Sequence, residues 1–246
     1  MTVRDRYPEI DIFRGIAIVM MITFHTIFDL TFFRLVPFDV SDGFWRYFAF
    51  ATASLFLLIV GVSLSISHTR AAAHLQGFAL TKKFLFRGAG IFCLGLGVTI
   101  ATWWYLREGY VIFGILHLIG VSVMLSPLFF RFRYWNAVIG IGVITLGWII
   151  ATIPGPMEFL VIGIHPLAFQ SVDYEPIFPW FGLVLIGLAL GEFLYPGGKR
   201  RWDLPKISDR TIAPLSFLGR HSLVIYLIHQ PIILLLFYFV TGAPVL

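Results

Sequence analysis

Glu9-Ile10-Asp11-Ile12-Phe13-Arg14-Gly15 opens a run that stays largely apolar as far as His25 and Asp29. The run has the length of a membrane-crossing helix, which needs about 20 apolar residues. Yet it carries Asp11, Arg14, His25 and Asp29. Arg14 and His25 are three helical turns plus about 20° apart, so they share a face and lie about 16 Å from each other along the axis. Asp11 stands one turn before Arg14 and Asp29 one turn after His25, near the same stripe. Ionisable groups inside a bilayer are costly and face a protein interior or a wet cavity. The stripe reads as one wall of a polar shaft.

The composition agrees with a membrane setting. Of 246 residues, 59% are hydrophobic and 13% charged, with a mean hydropathy of +0.89. Soluble domains carry about 25% charged residues. An all-α integral membrane bundle is expected, with residues 1–246 forming a single transmembrane domain. The net charge of +5 does not point to nucleic acid, because the basic residues fall in loops where topology explains them. Cys93 is the only cysteine, so no intramolecular disulfide forms. The first apolar run follows Arg4 and Arg6 as a signal peptide would, but it holds charged residues and has no small-residue cleavage site.

Seven spans are expected, at about Ile10–Phe33, Phe44–Ser67, Phe84–Trp104, Tyr110–Phe130, Tyr134–Ile153, Trp180–Tyr195 and His221–Val240. Trp103, Trp104 and Tyr105 form an interfacial belt, and Gly182, Gly187 and Gly191 predict close helix contacts. The apolar part of Pro154–Pro179 is too short to cross and contains Pro166, so this segment is expected to be a lid or re-entrant element.

Charge sets the expected orientation. Arg4, Arg6, Arg70, Lys82, Lys83, Arg131, Arg133 and the basic residues from Lys199 to Arg220 fall on one side. Only Arg34, Arg46 and Arg107 fall on the other, among several carboxylates. The N-terminus is therefore expected inside and the C-terminus outside, in a multi-pass protein of the cell membrane.

With that orientation, Arg14 and Arg87 enter near the inner ends of their helices. Two guanidiniums there suit a polyanionic ligand, although positive-inside anchoring explains them as well. His25 and His117 lie at similar depth towards the outer side, on different helices. A histidine with Asp29 one turn away suits a general base, because the carboxylate fixes the tautomer and steadies the imidazolium. The competing reading is an interior histidine bonded to another helix. No second pair of ligands stands at metal-binding spacing, so no metal is expected. Tyr226, His229 and Gln230 precede Pro231 and either line a cavity or brace a kink. His68, His74, His165 and His221 sit at span ends or in loops. No span contains lysine, which excludes a retinal Schiff base.

At Asp11-Ile-Phe-Arg14-Gly15-Ile-Ala with His25, the sequence resembles the transmembrane acyltransferase superfamily, and the spacing from Arg14 to His25 is similar to the signature of acyltransferase family 3. Arg87, Phe113-Gly-Ile-Leu-His117-Leu-Ile-Gly120 and Leu218-Gly-Arg220-His-Ser222-Leu-Val-Ile-Tyr226-Leu-Ile-His229-Gln230-Pro231 resemble the heparan-alpha-glucosaminide N-acetyltransferase catalytic-domain family. The resemblance implies an acetyl-CoA or other acyl-CoA donor bound from the cytoplasmic side. It also implies a glycan, amino-sugar or lipid-linked acceptor on the far side. His25, Asp29 and His117 would be catalytic, with His25 the base. Arg14 and Arg87, with Asp11, Tyr226 and His229 along the path, would bind the donor. The family's lysosomal member has asparagine where this chain has His25, and places its reactive histidine in a loop where this chain has Pro37, Phe38 and Asp39. Direct transfer is therefore expected rather than an acyl-histidine step. The alternative reading is a small-molecule transporter or channel using the same shaft, although no paired broken helices mark two related halves. A homo-oligomer stays open.

Overall fold

The computed structural model describes residues 7–37, 39–203 and 209–241. Arg4, Arg6, Phe38 and Lys206 lie outside the described residues. The helices are α1 (Pro8–Phe32), α2 (Gly43–Ala72), α3 (Gly77–Leu106), α4 (Ile115–Phe129), α5 (Asn136–Ile150), α6 (Ile177–Leu194), α7 (Asp209–Arg220) and α8 (Ser222–Thr241). Among the described residues the extended pairing is limited to an isolated parallel bridge between Phe113 and Tyr174. Six stretches are long and apolar enough to cross a membrane: Pro8–Phe32, Gly43–Ala72, Gly77–Leu106, Ile115–Ile150, Ile177–Leu194 and Ser222–Val240. The protein is an all-α membrane bundle. Large apolar side chains such as Trp104, Trp148, Leu236 and Phe239 face outwards, as lipid contact allows.

The chain sorts into two compact units, one of Met1–Phe56 with Pro205–Leu246, the other of Leu57–Leu204. The boundary falls within α2.

In the first unit, α1 packs on α7 and α8. Gly15 lies against the backbone of Leu215, and Gly219 against the backbone of Asp11, so a side chain at either glycine would hold α1 and α7 apart. Ala17, Ile18 and Met21 of α1 and Ile233 of α8 are buried.

In the second unit, α3 pairs with α4 and α5 with α6. Gly88 meets Gly120 and Met124 between α3 and α4, while Gly182 meets Gly140 between α6 and α5. Gly187 and Gly191 seat α6 against Leu58, Val62 and Ser65 of α2. All three glycines read from the sequence as contact points thus serve as such. Leu57, Leu64, Phe84, Leu118, Val123, Val184 and Leu185 form the core.

The expected fourth and fifth spans are shorter than the sequence suggests. Helices α4 and α5 have 15 residues each, about 22 Å at 1.5 Å per residue. They fall within one apolar stretch, Ile115–Ile150. A 3-10 turn over Phe130–Trp135 joins them, with Arg133 at φ 46°, a region that costs a non-glycine residue about 1–3 kcal/mol. The chain doubles back there. Phe130, the first residue of that turn, stacks with His68 near the end of α2 and contacts Phe84 near the start of α3. Asn136 at the start of α5 lies beside the same His68 and Phe130.

The segment between α5 and α6 holds a six-residue 3-10 turn, Met157–Ile162, rather than a re-entrant helix. It is a strap laid across the α3–α4 connection. Val172 N–H donates to Gly109 O at 2.8 Å and Glu175 N–H to Phe113 O at 2.9 Å. Ser171 Oγ donates to Tyr110 O at 2.9 Å, and Ile115 N–H, in the first turn of α4, donates to Asp173 Oδ2 at 3.2 Å. Burial, with the neighbouring Asp173 carboxylate second, pushes the Glu175 carboxyl well above the usual carboxylate range. Its Oε2 is buried without a partner. Tyr174 donates its hydroxyl to Leu160 O, and burial pushes that hydroxyl up to about 12.

Candidate active site

Helix α1 presents its polar stripe to α7 and α8. At its start, Arg14 Nη1 donates to Asp11 Oδ1 at 3.1 Å, one turn away, and to the carbonyl of Gly219 at 3.4 Å. The guanidinium thus joins α1 to α7 where Gly219 lets the backbones touch. Asp11 is its counter-ion.

Three turns on, His25 Nδ1 lies 2.9 Å from the carbonyl of Met21 on its own helix. A carbonyl only accepts, so Nδ1 carries the proton and the neutral ring keeps its lone pair on Nε2. His229 of α8 repeats the arrangement: its Nδ1–H donates to Tyr226 O at 2.6 Å. Its Nε2 is buried and has no partner. The two rings stand edge to face, with centroids 4.8 Å apart and planes at 76°. Tyr226 packs on His229 at 5.6 Å. The structure therefore brings together His25, His229 and Tyr226, and gives the two imidazoles the same tautomer.

Asp29 is 3% exposed. Gln230 Nε2 donates to both of its oxygens, at 2.8 and 2.7 Å. This corrects the expectation that Asp29 fixes the His25 tautomer. The Met21 carbonyl does so, because it sits one turn back with ideal reach for Nδ1, while the Asp29 carboxylate is turned to Gln230. Gln230 is a site residue with no role of its own among the expectations above. Its Oε1 is buried without a partner. The surroundings of the two histidines are therefore rich in acceptors: Asp29, Gln230 Oε1 and His229 Nε2.

His117 and Arg87 belong to the second unit. His117 is 1% exposed and caps α4. Gly114 N–H donates to its Nδ1 at 3.2 Å, and Nε2 lies 3.4 Å from Thr99 Oγ1. Gly95 makes room for the ring, and Phe92 and Phe113 flank it. Both nitrogens are thus engaged in holding α3, α4 and their connection together. Arg87 is exposed and donates to Ser67 Oγ at 3.4 Å. Among the described residues no three of His, Cys, Asp or Glu are grouped to hold a metal ion.

The family model described as heparan-alpha-glucosaminide N-acetyltransferase, catalytic, matches residues 6–231. No curated protein and no solved structure matches the chain. The match covers the polar stripe of α1, the α4 cap and the His229–Gln230 pair alike. The chain belongs to the heparan-alpha-glucosaminide N-acetyltransferase catalytic family, and is a membrane acetyltransferase by that membership.

Proposed function

We propose that the chain moves an acetyl or related acyl group from acetyl-CoA on the cytoplasmic side to a hydroxyl or amine of a glycan, amino-sugar or lipid-linked acceptor on the outer side. His25 is the general base. One observation carries this reading: the Nδ1–H of His25 is held by Met21 O, which leaves the Nε2 lone pair for chemistry. As the acceptor oxygen or nitrogen attacks the thioester carbonyl, its proton passes to Nε2. The carbon–sulfur bond of the tetrahedral adduct then breaks, and the proton returns from the imidazolium to the leaving thiolate. The Met21 carbonyl keeps its hydrogen bond throughout and favours the imidazolium. Asp29, one turn along and held by Gln230, adds negative charge near the developing cation. Arg14, its charge shared with Asp11, is assigned to the donor's phosphates. His117 is left to its cap, and the acyl group goes directly to the acceptor.

The test is transfer of labelled acetyl from acetyl-CoA to a panel of amino sugars, glycans and polyprenyl glycolipids by the chain in proteoliposomes. His25→Ala is expected to lower the rate by about 10²–10⁴, the usual worth of a general base. A variant that keeps the wild-type rate overturns the assignment.

A further inference from the structure

In the second unit, the ends of α2, α4 and α6 surround a small open pit lined by Ser65, His68, Phe130, Arg133, Asn136 and Glu192. Its free space is about 10 Å³, enough for one water-sized group. Asn136 is 1% exposed. Its Nδ2 donates to Phe129 O at 3.0 Å, which fixes the direction of the amide. Oδ1 is then the acceptor of the amide, buried and without a partner, on a residue that lines the pit. Arg133 donates to Glu192 from Nε at 2.9 Å and from Nη2 at 2.6 Å, both onto Oε1. Oε2 is left for another donor. Ser65 adds a hydroxyl from α2. His68, stacked on Phe130 with centroids 3.9 Å apart, supplies an aromatic wall.

Three oxygen acceptors, one of them on a carboxylate, thus surround room for a single group beside an aromatic face. The complement is a small cation with three N–H donors. We propose that this pit binds a primary ammonium group, carried by an aminophospholipid headgroup or by a soluble alkylamine. The side chain of Arg133 is 61% exposed at the rim, placed to meet the phosphate that follows the ammonium in a headgroup. A trimethylammonium group is excluded by size and brings no donor.

The experiment is native mass spectrometry of the full chain reconstituted with equal amounts of phosphatidylethanolamine, its N,N-dimethyl form and phosphatidylcholine. Thermal shifts with ethanolamine and with tetramethylammonium run in parallel. Phosphatidylethanolamine is expected to be retained about tenfold over phosphatidylcholine, the factor one hydrogen bond to a charged group is worth. Asn136→Leu should abolish the preference. That change also deletes the bond to Phe129, so Ser65→Ala, which leaves it intact, is run beside it and should weaken the preference. Stabilisation by ethanolamine without a lipid preference upholds the ammonium site and assigns it to a soluble amine. Equal retention of the lipids with no ethanolamine shift overturns the proposal. So does a preference that survives both substitutions.

Discussion

His25 and His229 stand 4.8 Å apart, edge to face, each with its Nδ1–H given to a carbonyl of its own helix. The sharing of one tautomer makes the pair a source of two basic lone pairs rather than a donor–acceptor couple. His229→Asn keeps a donor for Tyr226 O but removes the second lone pair. The variant is expected to fold with a near-native melting temperature and to lose about tenfold or more in acetyl transfer, the scale of one charge-assisted hydrogen bond. Wild-type turnover in this variant would leave His229 as packing.

Asp29 and Gln230 test a trade of stability against activity. Asparagine at position 29 still accepts from Gln230 Nε2, and its own amide can donate to Gln230 Oε1, which now has no partner. Asp29→Asn is expected to stabilise the chain by about 1 kcal/mol, the net worth of a hydrogen bond, while slowing transfer. Gln230→Leu does the opposite to the carboxylate, leaving it buried without a donor, and should cost about 1–3 kcal/mol or more. Thermal unfolding in detergent, read beside acetyl transfer, separates the two effects.

Glu175 makes the strap sensitive to pH. Its carboxyl is raised in the folded chain by burial first and by Asp173 second. A raised folded value means that this group's contribution is complete below the usual carboxylate range and is lost as pH rises through the raised value. Wild-type stability should therefore fall towards neutral and alkaline pH. Glu175→Gln should flatten that fall and be the more stable form on the alkaline side. A wild-type profile that rises with pH and is unchanged in Glu175→Gln would contradict this.

Two glycines offer a matched pair of substitutions. A methyl group on Gly219 would run into the backbone of Asp11, whereas one on Gly97 meets nothing within 4 Å. Gly97→Ala is expected to be neutral or to stabilise α3 by up to about 1 kcal/mol, through helix propensity. Gly219→Ala should cost about 1–3 kcal/mol, as overpacking does, and should weaken the Arg14 contact with the Gly219 carbonyl. Melting temperatures of the two variants decide it.

The polar stripe of α1 was legible because helical period places Asp11, Arg14, His25 and Asp29 on one side of an apolar run. Which partner each would choose was not. The Met21 carbonyl belongs to every helix and leaves no mark in the side-chain pattern, and Gln230 lies 201 positions from Asp29. His117 looked like a second reactive imidazole by depth, yet depth does not record that Gly114 and Thr99 take up both nitrogens. The strap was legible as a segment that does not cross, from its length and Pro166. Its docking through main-chain bonds to residues 109–113 carries no sequence signature.

The brevity of α4 and α5 bears on the lipid around them. Each covers about 22 Å, against a hydrocarbon core about 30 Å thick. Such a shortfall is met by local thinning of the bilayer, by snorkelling of flanking side chains or by helix association. A bilayer that thinned to match them would bring its headgroups towards the turn at Arg133. The chain would sort towards thinner membranes and would itself deform thicker ones.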